Sequence, residues 1–123
     1  MKDTKTLEIL KSVKEEVLNS PERWTQGASA RQDDGGVVSY ESGEAVCWCL
    51  TGAVALVARK MPLCETGESE FSRTMAVLAI AIDPTLTRYV SIPSWNDAYT
   101  TKYEDVIAVI DRAIENHSRE IET

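Results

Sequence analysis

The sequence predicts a mainly α fold: a compact four-helix domain with a small β-hairpin, becoming α+β if that hairpin pairs with residues 88–92. Three observations carry this. Apolar side chains recur at the helical period in four separate stretches. A run of turn residues, Asp33-Asp34-Gly35-Gly36, separates Ala30-Arg31-Gln32 from Val37-Val38-Ser39-Tyr40. A chain of 123 residues with 43% apolar side chains makes one domain, 1–123, with a core that requires no disulfide or metal staple.

The first helix is expected over residues 4–18. Leu7, Leu10, Val13, Val17 and Leu18 mark its apolar side. Asp3 is placed to accept from its first free N–H groups, and Asn19-Ser20-Pro21 ends it. Residues 22–42 are the least regular part, and their glycines permit the positive φ of a tight hairpin. A second helix is expected over residues 42–60, capped by Ser42, with Glu44 near its positive end. Ala45, Val46, Cys47, Leu50, Ala53, Val54, Leu56 and Val57 make it apolar almost all round, so it is expected at the centre. Gly52 within it costs about 1 kcal/mol relative to alanine. A backbone approaching closely beside Gly52, Ala53 and Ala55 would justify that cost.

Pro62 stops this helix, and a polar linker, residues 64–67, follows. A third helix is expected over residues 68–82, with Phe71, Met75, Leu78, Ala79 and Ile82 on one face and Asp83-Pro84 as its break. Residues 88–93 read as extended. The last helix is expected to start at Thr101, with Thr101 and Glu104 as a capping box. Val106, Ile107, Val109, Ile110, Ala113 and Ile114 supply its buried face, and the polar tail 116–123 is expected to fray.

The net charge of −7 is uneven. Residues 1–62 carry 8 basic and 9 acidic side chains, residues 63–123 carry 5 and 11. An acidic second half repels phosphate backbones, so direct nucleic-acid binding is not expected; a basic partner surface suits it better. No apolar run reaches the roughly 20 residues that cross a bilayer, and the first residues lack a signal-peptide pattern. No membrane association and a cytoplasmic location are therefore expected.

The three cysteines are expected as free thiols. Cys47 and Cys49, two apart on one helix, would project about 200° from one another and grip no common metal. With Cys64 beyond the helix and the one histidine, His117, far along the chain, no metal site is expected. The same distance deprives a cysteine nucleophile of its base, so no catalytic residue is assigned. Asp33 and Asp34 lack the other ligands of a calcium loop, and no phosphate-binding glycine motif occurs. No cofactor is expected.

Trp95-Asn96-Asp97 remains. Its structural reading is a rigid approach to the last helix, with Trp95 packing, Asn96 bonding a loop backbone and Asp97 capping a turn. Its functional reading is a shallow pocket walled by Trp24, Gln26, Trp48, Trp95 and Tyr99, with Asn96 or Asp97 receiving an indole N–H. The structural reading is favoured, and the two are compatible.

Several segments together resemble one family. They are Arg23-Trp24-Thr25-Gln26-Gly27-Ala28 with Ala30-Arg31, Ala45-Val46-Cys47-Trp48-Cys49-Leu50-Thr51-Gly52-Ala53, Ser94-Trp95-Asn96-Asp97-Ala98, and Glu104 through Ala113. The family is a domain of unknown function in small bacterial and bacteriophage proteins, marked by a tryptophan-asparagine-aspartate box. The resemblance covers most of residues 7–115. It departs where relatives carry a glycine-arginine-threonine turn after the box and this chain has Ala98-Tyr99-Thr100-Thr101. It implies a prokaryotic or phage setting and brings no activity. Size, charge and this resemblance together predict a small, acidic, non-enzymatic interaction protein. Glu104, Asp111 and Glu115 would present its surface to a basic host protein, such as a defence factor. The alternative is a small-molecule binder or hydrolase-like enzyme using the tryptophan-lined pocket.

Overall fold

In the computed structural model the described residues are 5–59, 69–84 and 91–122. The expected Asp3 cap, the 64–67 linker, Cys64 and residues 88–90 lie outside them. The fold is mainly α with a small antiparallel sheet, as the periodicity predicts.

Helix α1 spans Lys5–Ser12 and continues as a wider π-turn, Val13–Val17. It buries Thr6, Ile9, Leu10, Val13 and Val17, the spacing of one helical face. Its last carbonyls are satisfied from elsewhere in the chain: Arg23 Nε donates to Val17 O at 2.8 Å, and the Tyr103 hydroxyl donates to Leu18 O at 2.7 Å. Pro21 then opens a short 3-10 turn, Pro21–Arg23.

The hairpin forms as expected. Strand β1, Ala30–Gln32, pairs antiparallel with β2, Val37–Val38, in the register Ala30↔Val38. Gly35 adopts φ +89, and Gly36 N–H donates to Asp34 Oδ1 at 2.8 Å. The other neighbour of β1 is β3, Ala45–Trp48, which gives the sheet order β2-β1-β3.

Strand β3 corrects the expected second helix. Ser42 caps no helix; its hydroxyl accepts from Glu44 N–H at 3.1 Å in a turn. Helix α2 spans only Leu50–Ala58, and Cys49 is its N-cap, accepting from Gly52 N–H at 3.2 Å. The reason is that Ala45-Val46-Cys47-Trp48 fits a half-buried edge strand as well as a helix, and pairing with β1 decides between them. Val46 faces outward at 44% exposure while Trp48 is buried. Cys47 and Cys49 therefore do not share a helix. Among the described residues no cluster of three or more metal-ligating side chains occurs.

Gly52 has the role anticipated for it. A Cβ there would collide with the Ser29 carbonyl oxygen, which also accepts from Cys49 N–H at 3.1 Å. The first turn of α2 is thus seated directly on the backbone of Ser29, the residue preceding β1. Leu50, Ala53 and Val54 are fully buried in the core, together with Ile9, Leu10, Leu78, Val106 and Ile110.

Helix α3 spans Glu70–Ile82, capped by Ser69, whose hydroxyl accepts from Ser72 N–H at 3.1 Å. Its buried centre is Glu70, Thr74, Leu78 and Ala81, with Phe71, Met75 and Ile82 at its margin. Helix α4, Ile92–Asp97, replaces the extended segment expected through Pro93. Proline suits a helix's first turn, where its fixed φ is favourable and its missing N–H is no loss, and Ser91 caps the turn by accepting from Ser94 N–H. Helix α5, Tyr103–Glu122, starts two residues later than expected and continues through the stretch expected to fray. The Thr101–Glu104 box does not form. Instead Lys102 N–H donates to the Asp105 carboxylate at 2.9 Å, and the Thr101 hydroxyl donates to Trp95 O at 2.7 Å. Among the described residues no helix is long and apolar enough to cross a membrane.

The Ser29–Gly52 contact is directly testable. Gly52→Ala is expected to lower stability by about 1–3 kcal/mol, because the backbone must move apart. Urea unfolding should show a lower midpoint at unchanged slope; an unaltered midpoint would mean the contact is soft.

Candidate functional site

Asn96 is fully buried at the end of α4. Its Oδ1 accepts from the Trp24 indole N–H at 2.7 Å and from Leu50 N–H at 3.1 Å. Its Nδ2 donates to Thr25 O at 3.1 Å and to Asp97 Oδ1 at 3.0 Å. Both partners of the oxygen are obligate donors and both partners of the nitrogen are acceptors, so only one amide orientation satisfies the site. The Leu50 bond also occupies a free N–H at the start of α2, beside the Cys49 cap.

Neighbouring side chains extend this junction. Gln26 Nε2 donates to Asn96 O at 2.8 Å and to Ala98 O at 3.1 Å. Gly27 N–H donates to Asp97 Oδ1 at 2.9 Å. Arg31 fastens the same segment to the hairpin turn, donating to Thr25 Oγ1, Gln26 O and Gly35 O. Trp48 stands on the other side of Trp24: its indole donates to Tyr40 O at 3.0 Å, and the Arg23 guanidinium lies 5.3 Å from its ring centroid.

Of the seven residues expected to line a pocket, Trp24, Gln26, Asn96 and Asp97 come together, and Trp48 adjoins them. Their polar groups are largely satisfied by one another and by backbone. Trp95 is half-buried against the core, and Tyr99, at 97% exposure, walls nothing.

A cleft of about 790 Å³ opens beside this junction and shares only Asp97 with the expected set. Its floor is one side of α2, where Gly52, Ala55 and Ala58 recur every third residue and leave a trough. Ser29 and Tyr40 stand on the sheet side, Pro93 and Asp97 on α4, and Glu70 and Phe71 at the start of α3. Cys49 and Thr51 also line it. Burial is the first cause that pushes the Cys49 thiol above its ordinary range; the Gly52 N–H acts the other way. Its sulfur caps α2, and burial disfavours the thiolate. Arg59, at the rim, pairs with Glu41 at 3.4 Å.

Sequence reasoning missed Glu70 and Thr51. No local signal marks them, since a glutamate in a helix's first turn is ordinarily solvated. Among the residues expected to meet a partner, Glu104 is exposed, Asp111 pairs with Lys14 at 2.6 Å, and Glu115 pairs with Arg119. The Lys14 amine is held above its usual range, chiefly by its hydrogen bond to Asp111.

A helical domain with a small sheet, a polar junction and an open cleft is the class of protein these features define. The chain belongs to a family of unknown function (DUF6197), which matches residues 1–116. No curated protein and no solved structure matches it.

Asn96→Ala orphans the Trp24 and Leu50 N–H groups and the Thr25 carbonyl. At about 1–3 kcal/mol for each buried group left unpaired, the expected loss is several kcal/mol. Asn96→Asp is expected to be comparably harmful, because a carboxylate cannot donate to Thr25 O and repels Asp97. Chemical denaturation measures both; near-native stability in either variant would contradict this account of the junction.

Proposed function

We propose that this protein is a non-enzymatic binding module that takes a small molecule into the cleft along α2. The observation carrying the reading is the cleft itself, about 790 Å³ over the small residues Gly52, Ala55 and Ala58. Small-molecule sites typically occupy roughly 300–1,000 Å³ and combine an apolar surface with a few polar groups. Here those groups are Ser29, Thr51, Glu70 and Asp97. Binding is favoured over covalent chemistry because burial disfavours the Cys49 thiolate that a nucleophile needs. This relocates the ligand from a tryptophan-lined pocket to the neighbouring hollow.

A second reading has one observation of its own. Glu104, Asp111 and Glu115 are exposed and fall at positions that share one side of α5. That stripe would recruit a basic host protein, although Lys14 and Arg119 already offset two of its charges. Capture through it should weaken steeply with added salt; salt-independent capture would remove this reading. The setting we propose for both readings is the cytoplasm of a bacterial or phage-infected cell.

Ala55→Trp tests the cleft, since its side chain would fill the trough from a half-buried position. In a thermal-shift screen, compounds that raise the melting temperature of the natural protein should fail to raise that of this variant. Equal responses from both proteins for every stabilising compound would sink the reading.

A further inference from the structure

We infer that the ligand of this cleft carries a guanidinium group and that Glu70 receives it, an inference that rests on the cleft-binding reading above. Glu70 is the first residue of α3, lines the cleft and is only 2% exposed. Among the described residues neither of its carboxylate oxygens has a hydrogen-bond partner. Charged side chains are almost never so buried without a partner, because an unpaired buried carboxylate loses its hydration and gains nothing in return. The positive end of α3 favours a carboxylate at this position. It supplies no bond to these oxygens, and Ser72 N–H is already taken by Ser69.

The surroundings specify the missing partner. Thr51 Oγ1, on the same cleft lining, is also buried without a partner among the described residues and can accept a further N–H. Arg59, a cation at the rim, is engaged by Glu41. Asp97 adds a second carboxylate to the lining, its Oδ1 accepting from Gly27 N–H and Asn96 Nδ2. Phe71 and Tyr40 supply aromatic surface. A metal ion fits poorly, since no three ligating side chains gather among the described residues. Two oxygens on one planar carboxylate, both unpartnered among the described residues, match the parallel N–H pair of a guanidinium better than the single point charge of an ammonium.

Calorimetric titration of the full chain with n-butylguanidinium, n-butylammonium and n-butanol tests this, using the natural protein, Glu70→Gln and Ala55→Trp. The guanidinium should bind most tightly and lose roughly 10- to 100-fold in affinity with Glu70→Gln, while the response to butanol is unchanged. Ligand-free Glu70→Gln should be at least as stable as the natural protein, since a neutral amide is cheaper to bury unpaired. Equal guanidinium affinity for the natural protein and Glu70→Gln, tighter ammonium binding, or a destabilised or unfolded Glu70→Gln would each overturn the inference. If neutral compounds bind and Ala55→Trp blocks them while the guanidinium does not bind, the cleft reading stands and this inference alone fails. If nothing binds, both fail.

Discussion

The Asn96 amide, fully buried, joins Trp24, Thr25, Leu50 and Asp97 through its two donors and two acceptors, and the arrangement around the cleft depends on it. Trp24, Thr25 and Leu50 are remote from it in sequence, and the groups they present would lose this partner without it. A hydrophobic contact tolerates sliding, whereas a fully satisfied polar junction has one geometry. It therefore sets the position of α4 against the start of α2 and against residues 24–27. Gln26, bridging to Asn96 O and Ala98 O, fixes the exit of the same helix.

The cleft follows from that geometry. The first turn of α2 is held from three directions: by Asn96 at Leu50 N–H, by the Cys49 cap, and by Ser29 against Cys49 N–H and Gly52. Further along, Ala55 and Ala58 are too small to reach the elements opposite, so a trough remains. Large side chains at these positions would have closed it. The tryptophan-asparagine-aspartate box thus supports the cleft from beside it and contributes Asp97 alone to its lining. Cys49 and Glu70 mark the chemical contrast within the cleft: the buried sulfur accepts from Gly52 N–H, while the buried carboxylate has no hydrogen-bond partner among the described residues.

Much of the architecture is legible in the residues themselves. The apolar positions of α1, α3 and α5 repeat with helical spacing over two turns or more, a pattern that no strand reproduces. Asp33-Asp34-Gly35-Gly36 permits little but a tight turn, and Gly52 in an apolar helix signalled a close backbone approach. The junction was partly legible too: tryptophans near an asparagine imply an indole N–H bonded to an amide, although Trp24 rather than a nearer tryptophan is the donor.

What the chain alone determined was therefore the helical frame, the hairpin and the need for a partner at Gly52, because periodicity, turn chemistry and sterics act locally. Tertiary structure alone decided the rest. Residues 45–48 form a strand because β1 lies beside them, an apolar run of that length being equally fit for either state. Ile92-Pro93 turn into α4 and not along a sheet because Asn96 must reach Leu50 and Trp24. The burial of Glu70 depends on how α2 and α3 pack, and no local pattern encodes it, since burial is a property of the assembled neighbours and not of the residue.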